Sequence, residues 1–191
     1  MEIFDIYNNK GEHINKTAPR GSSLNEGEFH LVAHIWIKNN EGKYLVQKRN
    51  KQSDRVFGQY AATGGAVTTG ENSLLGAQRE TFEEMGIMID LDKFKLVKRY
   101  YIKDPKASFI TDLYLVKENI LLSELNLEYN EVSACKYMSM DEIKELVKDD
   151  MFWDYENTYI RKGYFDLIEK SWFNENISCW RHCRNNGYES I

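Results

Sequence analysis

Proline is scarce in this chain: two residues in 191. No internal repeat or low-complexity segment interrupts it, so long disordered linkers are not expected. No apolar run approaches the ~20 residues that a membrane-spanning helix needs. The N-terminus, Met1-Glu2-Ile3-Phe4-Asp5, has no basic region ahead of an apolar stretch, so no signal peptide is expected. Cysteine is nearly absent as well. Cys135, Cys179 and Cys183 give no disulfide framework and suit a reducing, cytoplasmic setting. Excess positive charge is also missing. Against 25 Lys and Arg stand 30 Asp and Glu, a net charge of −5, so no global field draws a nucleic acid polymer.

What is present is a core. Apolar residues make up 42% of the chain and charged residues 29%, the balance of one compact domain. Ile3 to Tyr7 and Glu12 to Ile14 read as a hairpin within residues 1–16, and residues 15–28 as a connection. Phe29–Ile37 and Lys43–Arg49 form a second hairpin around the turn Asn39-Asn40-Glu41-Gly42. A short strand over Tyr60–Thr63 leads to a tight turn at Gly64-Gly65. A helix over 72–85 stops at Gly86. Strands follow at Phe94–Ile102, Ser108–Val116 and Val132–Met138. Ser139 introduces a short helix, Asp141–Lys148, and an aromatic-rich helix is expected over Phe152–Phe173. The tail, 174–191, closes the chain. This order lacks regular βαβ alternation and predicts an α+β fold with a mixed sheet, one domain over 1–173.

The chemistry concentrates in residues 65–87, GAVTTGENSLLGAQRETFEEMGI. On a helix Glu80 and Glu84 lie one turn apart, and Glu83 lies three residues from Glu80. The three carboxylates share roughly a 100° arc of one face. They repel one another, so neutralising one is expected to leave metal-free stability level or slightly raised. A divalent cation would remove the conflict, and oxygen-only ligands suit Mg2+ or Mn2+. Leu74, Leu75 and Phe82 are expected to anchor the opposite flank to a core. Gly64 and Gly65 allow close backbone approach to a ligand. Arg79 can brace Glu71 or Glu83 by bidentate hydrogen bonds. A solvated acidic face explains Glu83-Glu84 alone. It does not explain seven fixed identities at fixed spacing, whose chance occurrence is on the order of a few in a million.

The segment resembles the Nudix box, G-x5-E-x7-R-E-U-x-E-E-x-G-U with U apolar, at every Gly, Glu and Arg; Thr81 replaces one apolar residue. The resemblance implies an α/β/α Nudix sandwich that hydrolyses a diphosphate bond, here with an extra N-terminal hairpin and a C-terminal helix. It implies that the Gly65 carbonyl, Glu80, Glu83 and Glu84 hold the metal, with Glu71 and Arg79 bracing loop and helix. The stretch from FDIYNNKGEHINK to RGSSLNEGEFHLVAHIWI further resembles the isopentenyl-diphosphate isomerase branch, with His30 near a metal-binding histidine of that enzyme. The isomerase needs a cysteine just before its box, where this chain has Tyr60-Ala61-Ala62-Thr63. A hydrolase of a nucleoside diphosphate linked to another group, or of a similar small diphosphate, is therefore expected. Isoprenoid isomerisation and a non-catalytic binding module are the alternatives. A homodimer is compatible with this reading.

Outside the box, His30 and His34 alternate along one strand face with Val32 and Trp36. Arg49 is a candidate phosphate contact at a strand end. Tyr100 is a candidate substrate contact, with Lys98, Arg99 and Tyr101 beside it. Glu128 and Glu131 precede a strand, where Nudix enzymes often place a further carboxylate. Phe152, Tyr155, Tyr159 and Trp172 read as core. Cys179-Trp180-Arg181-His182-Cys183 lacks the second ligand pair of a zinc site.

Overall fold

The computed structural model describes residues 2–103, 108–158 and 163–172. Contacts divide the chain after Asp154 into two units, where the sequence reading ran one domain to residue 173. Among the described residues, nine strands, one long helix and a shorter one build the first unit. The strands are β1 (Ile3–Tyr7), β2 (His13–Pro19), β3 (His30–Lys38), β4 (Tyr44–Arg49), β5 (Tyr60–Ala61), β6 (Thr63–Ala66), β7 (Lys95–Ile102), β8 (Phe109–Lys117) and β9 (Val132–Met138). The helices are α1 (Ser73–Met85) and α2 (Met140–Lys148). A short helix, α3 (Tyr155–Thr158), opens the second unit, and residues 164–172 are also helical. The expected helix from Phe152 therefore starts later, because Phe152 pairs with Tyr60 in a β-bridge and stacks near Trp36, ring centroids 6.2 Å apart. Tyr159 and the cysteine-bearing tail lie outside the described residues.

The main sheet runs β5-β4-β3-β8-β7, with β6 on β3 and β9 on β4. It is mixed, as expected: β3 and β8 are parallel from His30↔Phe109 to Lys38↔Lys117, and the remaining pairs are antiparallel. β3 leaves β4 after the hairpin end, pairing there only through Ile37 and Lys38, and takes β6 along Val32–Ile35. The chain thus crosses from β4 to β3 at Ala62. Gly64 and Gly65 lie inside β6, so the tight turn expected there is corrected to a strand. Close approach is the real need: a Cβ on Gly64 would fall on the Ala33 carbonyl oxygen.

β2 runs five residues past the expected strand end at Ile14, to Pro19. Between Asp5↔Thr17 and Tyr7↔His13 it carries extra residues, including Asn15 at φ 54°. That bulge breaks the two-residue alternation and hides the strand in the sequence.

The sheet has two covered faces because β3 alternates. Ala33, Ile35 and Ile37 pack with Ala77 and Met85 of α1, while Trp36 meets Tyr44 edge-on. α1 begins with Asn72 accepting from the Leu75 N–H and ends at Gly86, φ 73°, whose N–H donates to the Phe82 carbonyl. Its buried stripe is Ser73, Gly76, Ala77, Thr81, Glu84 and Met85. Leu75 and Phe82 are instead 41% and 48% exposed, which corrects two of the three expected anchors. Small residues win because the helix lies close: a Cβ on Gly76 would sit 2.9 Å from Val67. α2 has a capping box, Ser139 with Glu142.

Gly86 also lets the 125–131 loop cross the end of α1. A Cβ there would lie 2.6 Å from that of Asn126, whose N–H donates to the Met85 carbonyl. Gly86→Ala should destabilise the protein by roughly 1–2 kcal/mol from the left-handed backbone alone, and further from the clash. A urea midpoint equal to wild type would show that the loop simply moves aside.

Candidate active site

A cavity of about 310 Å3 opens between α1, β6, the 125–131 loop and the ends of β1 and β2. Glu80, Glu83 and Glu84 line it, with the backbone of Gly64, Gly65 and Ala66. Helical spacing thus gathers the three carboxylates at one place. They differ in depth: Glu84 is 2% exposed, Glu80 14% and Glu83 56% by side chain. Glu128 and Glu131 also line the cavity. The Glu128 N–H donates to the Glu84 carbonyl, so the loop is seated on the last turn of α1. A Cβ on Gly65 would collide with the Glu80 carboxyl, so only glycine lets that backbone abut the acid.

Two arginines hold the acids. Arg79 Nη1 donates to Glu80 and to Glu83, each at 2.8 Å. Its Nε reaches both oxygens of Glu71 at 2.9 and 3.1 Å, and Nη2 donates to the Ala66 carbonyl. Glu71 in turn accepts from the Thr68 N–H and hydroxyl. One guanidinium therefore ties the loop before α1, strand β6 and the acidic face together. The second, Arg49 of β4, pairs with Glu84 and donates to Asp54 at 2.7 Å, with Glu131 at 3.7 Å. Arg49 lines the cavity as a largely buried residue, not as the surface strand end that its position suggested. Tyr100, on β7, is not among the lining residues.

Gln47 escaped the sequence reading. It is fully buried on β4 and its Nε2 donates to Glu84 at 2.8 Å. The available signal was its place two residues before Arg49, on the same strand face. Arg20 and Glu2, which also line the cavity, carried no signal in the sequence.

Burial raises the Glu80 carboxyl to about 7, helped by the charge of Glu84 and opposed by Arg79. Burial also raises Glu84, against Arg49, Gln47 and the Gly64 N–H. The Cys135 thiol is pushed up to about 12 by burial and then by Glu84, so it stays protonated. Desolvation holds the half-buried His34 near 4, and His30 lines a separate, smaller cavity.

Among the described residues, no three His, Cys, Asp or Glu side chains stand as a metal-holding group. The oxygens of Glu80, Glu83 and Glu84 face guanidinium groups instead. The donor chemistry nevertheless fits a hard divalent cation: carboxylates of graded depth and a glycine backbone on one cavity, without sulfur or imidazole.

The NUDIX domain family model matches residues 28–159. The chain belongs to the Nudix family. A Nudix hydrolase of Listeria monocytogenes is 34% identical over 157 residues, covering 81% of this chain and 90% of that protein. Isopentenyl-diphosphate Delta-isomerase of Dictyostelium discoideum is 27% identical over 148 residues, covering 67% of this chain and 62% of that enzyme. A crystal structure from Deinococcus radiodurans matches with a TM-score of 0.65 at 16% identity, covering 88% of this chain and 98% of that one, which shows the fold. As a Nudix hydrolase, the protein is a hydrolase of diphosphate bonds.

The raised Glu80 carboxyl makes a signed prediction for the metal-free protein. The folded state binds the proton more tightly than an unfolded glutamate, whose ordinary value is 4.5. Stability therefore falls as pH rises from the ordinary value to about 7. With chelator present, the melting temperature of Glu80→Gln should gain on wild type between pH 5 and pH 7.5. A constant difference across that range would contradict the assignment.

Proposed function

We propose that the protein is a Mg2+- or Mn2+-dependent diphosphatase acting on a nucleoside diphosphate linked to another group, or on a similar small diphosphate. The observation that carries this reading is the gathering of Glu80, Glu83, Glu84 and Gly65 on one cavity. The Gly65 carbonyl and these three glutamates would hold the cation. A bound cation screens charge on diphosphate oxygens and makes a water more acidic. The charge pattern supports a need for it: six carboxylates line the cavity (Glu2, Glu80, Glu83, Glu84, Glu128 and Glu131) against two guanidinium groups (Arg20 and Arg49). Without added positive charge, that lining would repel a polyanion.

The chain's own residues divide the remaining work. Glu71 and Arg79 brace the acidic face. Arg49 and Gln47 fix Glu84. Glu128 is a lining carboxylate whose hydrogen bonds among the described residues come from Asn130 and not from an arginine or lysine. It is therefore free to take a proton from an attacking water. The absence of a cysteine over Tyr60–Thr63 and the protonated Cys135 speak against isomerase chemistry.

A screen of diphosphate substrates with Mg2+ and Mn2+, reading released phosphorus products, tests the reading directly. Glu84→Gln should lower turnover on the best substrate by at least ~10²-fold, the lower end for losing a positioned catalytic group. Its melting temperature in chelator should also fall. Crowding of like charges favours the opposite sign, but Arg49 is itself largely buried and loses its nearest counter-charge. Near-normal turnover in Glu84→Gln would refute the metal-holding role.

A further inference from the structure

A second cavity, of about 110 Å3, lies between the β1–β2 hairpin and β3. Its walls are mostly apolar, with Phe4, Ile6, Ala18 and Leu24, and its polar groups include Ser22 and His30. It adjoins the site of the acids. Pro19 and Gly21 line the small cavity, while Arg20 between them lines the large one. The charge of Arg20 also reaches His30, adding to the burial that holds the imidazole near 4 and so neutral at pH 7.

His30 presents its imidazole ring to this cavity. Phe4 stacks on its ring at 5.3 Å and 22°, and Phe109 tilts against it at 5.8 Å. The ring is thus clamped by apolar neighbours. A neutral imidazole has one donor and one acceptor nitrogen. Neither makes a side-chain hydrogen bond among the described residues, and the half-buried ring lines the cavity, so its polar edge is available to a ligand there.

We propose that this cavity takes the planar heteroaromatic ring of a nucleoside diphosphate substrate, with His30 bonding the edge of the ring and Arg20 lying at the step between ring and phosphates. The proposal rests on the diphosphatase reading. Apolar walls with a donor and an acceptor at one side suit a ring with apolar faces and polar edges. A branched alkyl group would leave His30 and Ser22 unmet. A sugar would press hydroxyls against Phe4, Ile6 and Leu24. The volume suits a ring and not a whole nucleoside.

Two measurements test it separately. The first needs no catalysis: metal-free protein is titrated with AMP, CMP, GMP and UMP, and with ribose 5-phosphate, while the imidazole NMR signals are followed. At least one nucleotide should move the His30 signals and leave those of His34 in place, and ribose 5-phosphate should move neither. His30→Phe, which keeps the stacking and removes both nitrogens, should bind that nucleotide about tenfold more weakly, the scale of one hydrogen bond. Ala18→Leu, which fills the cavity and leaves His30 intact, should weaken it as well. The second compares kcat/KM for ADP-ribose, CDP-choline, GDP-mannose and UDP-glucose with that for 5-phosphoribosyl 1-diphosphate, which has no base. Both variants should lose about tenfold on the preferred nucleotide, through KM, and nothing on the base-free compound. Equal losses on both classes, or His30 signals that no nucleotide moves, would overturn the proposal. If no diphosphate is hydrolysed, the diphosphatase reading fails, and the titration alone decides whether the cavity takes a base.

Discussion

Glu84 places a carboxylate where water barely reaches, and much of its neighbourhood serves to hold it there. β4 supplies two partners from one face, Gln47 and Arg49, and β6 supplies the Gly64 N–H. The Arg49 charge is met in turn by Asp54 and Glu131, and Glu131 by Lys51. Charges therefore alternate from the interior to the surface. The inner pair matters most: removing one partner of a buried pair leaves the other uncompensated at a cost of about 3–5 kcal/mol, whereas Lys51 and Glu131 are each about a third exposed and screened by water. This chain of pairs also couples parts distant in sequence: strands β4 and β6, the loop after β4, the end of α1 and the loop before β9. The cavity keeps its shape because its acids cannot relax independently.

The acidic face was legible because its code is local. Glu80, Glu83 and Glu84 need only helical spacing to converge, and Glu71 needs only a loop short enough for Arg79 to reach it. The element order was legible for a similar reason, through alternation in FHLVAHIWI and KYLVQKR and the glycine stop at 86. What stayed hidden depends on pairing across the sheet. Gln47 is a polar residue in an apolar strand until Glu84 is brought against it from 37 positions away. Arg49 reads as a strand end until the loops on both sides close over it. Leu75 and Phe82 looked like anchors by hydrophobicity. Close packing of Gly76 and Ala77 against the sheet decided the buried stripe instead, and it placed Thr81, the one departure from the apolar pattern, fully inside. There its hydroxyl donates to the Ala77 carbonyl one turn back, which is how a polar residue satisfies an apolar position.

A second buried carboxylate governs the other end of the same helix. Asp112 is fully buried on β8, where it interrupts the apolar run of FITDLYLV. Arg99 of the neighbouring strand grips both its oxygens at 2.6 Å, and the Ser73 hydroxyl, in the first turn of α1, donates to it. Tyr114, two residues along the same face of β8, shares a hydrogen bond with Ser73 at 2.7 Å. α1 is therefore pinned at its first residue to β8 through Asp112, and at its last turn to β4 through Glu84. Close packing between the two pins, at Gly76 and Ala77, already resists movement of the helix. Hydrogen-bonded carboxylates at both ends add direction to it, because a shift of about 1 Å would break bonds that burial makes expensive to lose. By holding the first turn of α1 on β8, Asp112 helps fix where along the sheet Glu80, Glu83 and Glu84 meet Gly65.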